Sequence, residues 1–467
     1  MALGGVLLRQ EMQFWMRIGF CEPFLHRRDR DSGFGERPLE RLELAVLADD
    51  LTGGMIIASM LEKAGVVCPL ITDANGVRSF EGEPTALVLA RKIRLIAASR
   101  AREEAALAAS VFKARGARTI YYKYSALFDS TARGNIGPIA EVLLKETGAA
   151  QTLFCPAYID RTVTIYQGHL FVGKTPLAES FKRYDPVTPA ETSDLVAKLS
   201  SQTSLEVGLI SHQALRMEIE VLRGTVENEH ARPFLIADAV DDADVNKLAA
   251  LTREWKVVTG ADSLAPAVMA ERRRGLPPQP KSARRLLPPA EGHAAVLVGS
   301  CAEATRAQLE AFERDHPVWK IDLARDTNER LAGDIASWAA ERLNAGPVAI
   351  STNSTPERVR AAQEAFGVEG ASQRADQLLG ELATRLFSLG VRKYVIAGGE
   401  TSGEILNALA VKRLEVAAYD DELFGGYCHC AGDPISFVLK PGSMGHQDFF
   451  ARALERMREA DRAASAR

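Results

Sequence analysis

Short apolar runs recur along the chain from Leu42 onward, and most pass directly into a polar turn and then into amphipathic sequence. In the first half these runs are Leu42 to Ala48 (LELAVLA), Leu87 to Ala90, Thr119 to Lys123, Thr152 to Phe154, Val207 to Ile210, Phe234 to Ala237 and Lys256 to Thr259. In the second half they are Ala294 to Val298, Pro347 to Ile350, Tyr394 to Ala397 and Phe437 to Leu439. Their length and β-branched content predict buried strands. Between them, apolar residues return at helical spacing. Ile56, Ile57, Met60 and Leu61 share one face, as do Ile405, Leu406 and Leu409, and Ala97 to Arg115 is an alanine-rich helix. Repeated strand–helix units predict an α/β protein of two α/β domains, each with a mainly parallel sheet flanked by helices.

The pattern is interrupted twice. Residues 1–40 combine a short apolar stretch, Glu11 to Phe20, with charged clusters. They lack the ordered n-region, h-region and cleavage site of a signal peptide, so they are expected to form a poorly ordered leader. Glu271 to Gly292 is rich in Pro and Arg and has no apolar period, the composition of a linker. The expected division is therefore a leader at 1–40, a first domain at 41–272, a linker at 273–291 and a second domain at 292–467.

Composition changes this picture little. The 467 residues are 46% hydrophobic and 25% charged, as in ordinary globular proteins. A net charge of −4 gives no basis for a nucleic-acid or membrane partner, and no apolar run approaches the roughly 18 to 20 residues of a membrane span. Six scattered cysteines point to reduced thiols and a cytoplasmic location. Cys428-His429-Cys430 lacks the second ligand pair of a zinc site.

Candidate chemistry collects where strands end. Asp49 and Asp50 follow the first strand, at the carboxyl edge where open α/β sheets place ligands; a helix cap from Asp50 or Thr52 accounts for one acid but not two. Arg91, Lys92 and Arg94 follow another strand and suit a carboxylate or phosphate, or else form a solvated basic turn. Asp129, Ser130, Thr131, Arg133 and Asn135 form the densest polar cluster, offering a base, hydroxyl donors and a cation within eight residues. His169, beside Gln167 and Gly168, is either structural or catalytic. In the second half, Gly398, Gly399, Glu400 and Thr401 lie between a strand and a helix. Such a turn aims backbone N–H groups at an anion or is simply a capped βα connection.

With those residues in view, the chain resembles the four-carbon acid sugar kinase family, over essentially everything from Leu42 onward. The likeness is carried by ADDLTGG at 48–54, KIR at 92–94, FDSTARGNIGP at 128–138, YQGHLFVG at 166–173, GSC at 299–301, AGGETSG at 397–403 and GSMG at 442–445. The FDST and YQGHLFVG segments look most like the 3-oxo-tetronate kinase branch. The resemblance implies ATP-dependent phosphorylation of the terminal hydroxyl of a 3-oxo-tetronate, threonate or erythronate, with Mg2+ accompanying the ATP. It implies a sugar-acid domain first and a nucleotide domain second, closing together across the linker to exclude water. Whether the chain acts as a homodimer stays open.

The resemblance also distributes roles. Asp50 or Asp129 would orient the hydroxyl and accept its proton. Arg91, Lys92, Arg94 and Arg133 would clamp the substrate carboxylate, and Ser130, Thr131, Asn135, His169 and Asp49 would complete the acid site. Ser300, Gly398, Gly399, Glu400 and Thr401 would cradle phosphates, with Gly442 and Gly445 near the nucleotide. Glu400 and Asp49 are both open as magnesium ligands. Three positions depart from the family: Ala302 replaces a second serine, Pro441 follows Lys440, and Phe424-Gly425-Gly426-Tyr427 replaces a Pro-Gly-Val-Pro segment. A lost hydroxyl or N–H weakens a phosphate contact by roughly 0.5–1.5 kcal/mol. These departures leave a second reading open, a sugar-acid sensor with a degenerate nucleotide half. A dinucleotide-dependent oxidoreductase is disfavoured, because no G-x-G-x-x-G follows an early strand.

Overall fold

The computed structural model describes residues 42–465 except 186, 229–231, 276–288, 327, 353–354, 420–422, 424, 431–432 and 443. The leader at 1–40 and most of the Pro/Arg-rich stretch lie outside the described residues. The chain divides into two compact units at 283/284, inside that stretch.

In the amino-terminal unit the strands are β1 (Leu44–Ala48), β2 (Leu70–Ile71), β3 (Ala86–Ala90), β4 (Thr119–Lys123) and β5 (Thr152–Cys155). After the small hairpin strands β6 (Val163–Tyr166), β7 (His169–Val172) and β8 (Thr175–Pro176) come β9 (Val207–Ile210), β10 (Phe234–Ala237) and β11 (Val257–Gly260). Eight of them form one sheet in the order β2-β3-β1-β4-β11-β5-β10-β9, every pairing parallel. Strands β1, β3 and β4 are buried at every position, as expected when helices cover both faces. Of those helices, α1 (Leu51–Lys63), α2 (Ala98–Ala114), α3 (Ile136–Thr147) and α4 (Leu195–Ser200) bear on the site. From β1 the chain moves to β2 and β3 on one side, whereas from β4 it moves to β5 on the other. The crevice at the carboxyl ends of β1 and β4 is therefore the topological switch point, where open parallel sheets bind ligands.

The carboxy-terminal unit repeats the plan. Strands β12 (His293–Val298), β13 (Val318–Lys320), β14 (Val348–Ser351), β15 (Val391–Ala397) and β18 (Asp433–Lys440) are parallel in the order β13-β14-β12-β15-β18. Strands β16 (Arg413–Val416) and β17 (Gly425–Cys430) extend it antiparallel. The switch point here falls between β12 and β15. Its core joins Val296, Val298 and Val395 to Phe312, Phe449, Phe450 and Met457, from α5 (Glu303–Glu313) and the terminal helix α8 (Phe449–Ser465). Helix α6 (Pro356–Ser388) is broken at Gly367, whose φ is 74°, and α7 (Gly399–Ala408) follows β15.

The expected strands all form, three with unchanged ends and the others with ends moved by up to four residues, and the α/β architecture with mainly parallel sheets is the one observed. Strands β2, β6, β7, β8, β13, β16 and β17 and the long helix α6 were not anticipated. Among the described residues no helix is long and apolar enough to cross a membrane.

Candidate active site

At the switch point of the amino-terminal unit one arginine gathers three aspartates. Arg94, in the turn after β3, donates from Nε and Nη2 to the two oxygens of Asp49 at 3.0 and 2.7 Å. Its Nη2 is also 3.0 Å from Asp50 Oδ1, and its Nη1 lies 3.9 Å from Asp129 Oδ2. Asp49 and Asp50 directly follow β1, and Asp129 stands in the loop after β4, so the sheet order brings the three together. Burial raises the Asp49 carboxyl above its ordinary value, against the pull of Arg94. For Arg94 burial acts downward, but Asp49, Asp50 and Asp129 outweigh it and hold the guanidinium protonated.

Asp50 also caps α1, accepting from Gly53 N–H at 2.9 Å. Cap and site are thus the same residue. Asp129 is held by a residue outside every motif singled out above: Lys182 Nζ lies 2.6 Å from its Oδ1, and also binds Asp185 and Thr188 at 2.8 Å each. Burial would raise the Asp129 carboxyl, yet Lys182 and Arg94 together bring it below its ordinary value, so it is ionised at neutral pH. Phe128 before it adopts φ 50°, a left-handed conformation unfavourable for a bulky side chain, and is held there by full burial and an edge contact to Tyr124 at 5.4 Å.

The rest of the polar loop is partly scaffold. The Asn135 amide donates to the carbonyls of Ile93, Arg94 and Ile96 at 2.9, 3.2 and 2.7 Å, fixing the turn that carries Arg94. Ser130 is buried and accepts from Gln202 Nε2 at 2.8 Å; the same amide donates to Thr131 O and its oxygen accepts from Gly137 N–H. Thr131, Arg133 and Lys92 are exposed. Arg91 is turned away to Glu104, at 2.9 and 3.0 Å, and to Thr72 O at 2.7 Å. His169 is exposed on the hairpin, with its Nδ1 2.9 Å from Gln167 O. The hairpin is anchored by buried Asp238, which accepts from the N–H groups of Gln167, Gly168 and His212. Gathered residues are thus Asp49, Asp50, Arg94 and Asp129.

In the carboxy-terminal unit three turns converge at the switch point. A Cβ on Gly299 would come within 2.0 Å of Thr401 Oγ1, and one on Gly442 within 2.3 Å of Ser300 Oγ. Gly398 has φ 128° and lies against Ser300 N. The turns after β12, β15 and β18 therefore form one cradle lined by backbone, at the N-terminus of α7, where N–H groups and the helix dipole favour an anion. Gly399 and Glu400 open α7 and are half-buried. The Thr401 hydroxyl donates instead to Asp376 at 2.8 Å. Gln308 Nε2 donates to the carbonyls of Met444, Gly445 and His446, which places Gly445 at the rim.

Two of the departures now have a physical reading. Lys440 is fully buried, and its ammonium donates to Thr305 Oγ1, Pro441 O and Gly442 O at 2.8–2.9 Å, so it staples the last turn. Ala302 occupies the N-cap of α5 without a side-chain acceptor, while its N–H donates to Ser300 Oγ at 3.3 Å. The side chains of Cys428, His429 and Cys430 lie outside the described residues, as do Phe424 and Ser443. Among the described residues no three His, Cys, Asp or Glu side chains are arranged to hold a metal.

A sugar-binding N-terminal domain model matches residues 44–268, and a nucleotide-binding C-terminal domain model matches 295–450. The chain is 37% identical over 433 residues to a 3-oxo-tetronate kinase of Pseudomonas fluorescens, covering 90% of this chain and 97% of the relative. The chain belongs to the four-carbon acid sugar kinase family. Another member, a 3-oxo-tetronate kinase of Burkholderia multivorans, is 37% identical over 421 residues, covering 90% and 97%. Crystal structures of proteins from Salmonella typhimurium and Haemophilus influenzae superpose with TM-scores of 0.75 and 0.68. Their identities are 29% and 28%, with 88% of this chain covered in each and 98% and 100% of theirs. The two family domains coincide with the two sheets described here, and each switch point lies within its own domain.

Proposed function

We propose that the chain catalyses ATP-dependent phosphorylation of the terminal hydroxyl of a four-carbon sugar acid of the 3-oxo-tetronate class. The amino-terminal unit would take the acid and the carboxy-terminal unit the nucleotide. The reading draws on the names of the relatives. The observation that carries it is Asp129, an ionised carboxylate fixed between Lys182 and Arg94 at the carboxyl edge of the sheet. Phosphoryl transfer asks mainly for positioning and charge neutralisation. A fixed carboxylate of low basicity suits that demand: it orients the hydroxyl and accepts its proton late, as the oxygen loses basicity by bonding to phosphorus.

Arg94 acts by holding the aspartates apart and in register, and Asn135 acts by holding Arg94. Asp50 shares the Arg94 fork but is also engaged as a helix cap, so Asp129 is the stronger candidate for the base. On the nucleotide side, Ser300 and the backbone from Gly398 to Thr401 would hold phosphate oxygens. Gly442 would leave room for the nucleotide, with Gly445 beside it. Mg2+ would enter with the ATP and supply neutralisation of the phosphate charge. Asp49 is unsuited to bind it, since both its oxygens accept from Arg94.

The sensor reading is weaker than the kinase reading. Lys440 holds the turn in which Pro441 stands, and the Gly299–Ser300 and Gly398–Thr401 backbones keep their close approach. Asp129→Asn tests the assignment. It keeps shape while removing the charge, and should leave acid binding near wild type with kcat down at least about 100-fold; the melting temperature should fall because Lys182 and Arg94 lose a partner. Turnover within a few-fold of wild type would remove Asp129 from the mechanism.

A further inference from the structure

The cations around the acid site are mostly spoken for. Arg94 is shared among three aspartates, Lys182 between Asp129 and Asp185, and Arg91 belongs to Glu104. Lys123, with its ammonium 3.4 Å from Asp262, donates to Tyr124 O at 2.8 Å. None of these is left with a full charge to offer an incoming carboxylate.

Lys198 differs. It stands on α4, only 8% exposed, and among the described residues its ammonium has neither an ion pair nor a hydrogen bond. Its ammonium lies 6.0 Å from the centroid of the Phe128 ring. The helix is fastened to the site at both ends. Leu195 N–H donates to Gly168 O, and Gln202, just past the last turn, binds Ser130, Thr131 and Gly137 of the Asp129 loop. Lys198 is therefore held beside the residue before Asp129. Asp129 attracts it but makes no ion pair with it, its two oxygens lying 2.6 Å from Lys182 and 3.9 Å from Arg94. An ammonium on a mostly buried side chain is poorly solvated, and an anion arriving at the site offsets that cost.

We propose that Lys198 receives the carboxylate of the acid substrate and so gives the site its preference for acids over neutral polyols. The inference rests on the sugar-acid reading above. Burial lowers the Lys198 pKa to about 8, with Asp129 and Glu191 acting against that shift and Lys182 adding to it, so the side chain is still mostly cationic at neutral pH. Its fixed position beside Asp129 would set the distance between the carboxylate end and the hydroxyl end of the substrate.

The test is calorimetric titration of the nucleotide-free full chain with 3-oxo-tetronate, threonate and erythronate of both hands, and with threitol and erythritol, which keep hydroxyls but lack the carboxylate. Lys198→Met should weaken binding of the preferred acid roughly 10- to 100-fold, the effect of one charge-assisted hydrogen bond. Polyol binding should be unchanged, and Lys198→Arg should restore part of the acid preference. Wild-type acid affinity in Lys198→Met overturns the proposal. Equal loss for acids and polyols, with a lowered melting temperature, overturns it in favour of a structural lysine. Unchanged acid affinity with a collapsed kcat overturns it in favour of a contact to the transferred phosphoryl group. Wild-type protein that binds no acid on the panel rejects the sugar-acid reading itself, and does so before any substitution is made.

Discussion

Replacing Arg94 with methionine is the most informative single perturbation of the acid site. The side chain is 18% exposed and Asp49 only 2%, so the Asp49 pair is the part least screened by solvent. The contacts to Asp50 and Asp129 involve carboxylates 15% and 17% exposed and are discounted accordingly. Removing one partner of a buried pair leaves the other uncompensated and costs about 3–5 kcal/mol. For a unit of this size that corresponds to a melting temperature roughly 6–20 °C lower. The loss has a definite pH dependence. In wild type, burial already raises the Asp49 carboxyl against the pull of Arg94. Without the arginine the folded-state pKa rises further above the unfolded value, so the folded variant binds more protons than the unfolded chain between those two values. Its stability therefore rises as pH falls through the folded-state pKa, and the deficit relative to wild type should be largest at pH 8 and smaller at pH 5. Scanning calorimetry of the amino-terminal transition at the two pH values measures it. A deficit below about 1 kcal/mol at pH 8, or one that is the same at both pH values, would refute the reasoning.

Two further outcomes follow from the geometry. Gly442→Ala puts a Cβ 2.3 Å from Ser300 Oγ and 3.2 Å from the Ala302 Cβ; steady-state kinetics should show KM for ATP raised roughly 10-fold with KM for the acid unchanged, and an unchanged KM for ATP would mean that the three turns do not form the phosphate cradle. Asn135→Ala strips three backbone carbonyls of one amide donor; it should cost about 2–4 kcal/mol in thermal unfolding and raise KM for the acid through the loosened Arg94 turn, and wild-type values of both would reduce Asn135 to a bystander.

Much of this arrangement was legible in the sequence because it is local. An apolar run followed by Asp49-Asp50, or by Gly398-Gly399, states both the strand and the place where its chemistry begins. What a polar residue does once there was less legible. Asn135 and Ser130 look like substrate ligands in a list of residue types, yet their side chains are engaged by carbonyls and by Gln202. Arg91 and Arg94 are three positions apart, and only the fold decides that one faces Glu104 and the other the aspartates. Lys182, Lys198 and Gln202 escaped notice for a different reason. Lys182 lies in a stretch of short turns and Lys198 and Gln202 on or just past a six-residue helix, too short to show periodicity, and Lys182 and Gln202 reach the site through pairings with residues 53 to 72 positions away. No local pattern encodes the insertion of β11 between β4 and β5 either.

Phosphate transfer to a four-carbon acid is the centre of the account. Its most direct test is incubation of the full chain with Mg-ATP and each hand of threonate, erythronate and 3-oxo-tetronate, following ADP release and identifying the product by phosphorus NMR. The account predicts acid-dependent ADP release on at least one of them, matched one to one by a phosphomonoester on the terminal oxygen. Binding of an acid without ATP binding, and without ADP release across the panel, would contradict it and leave a sensor in place of a kinase.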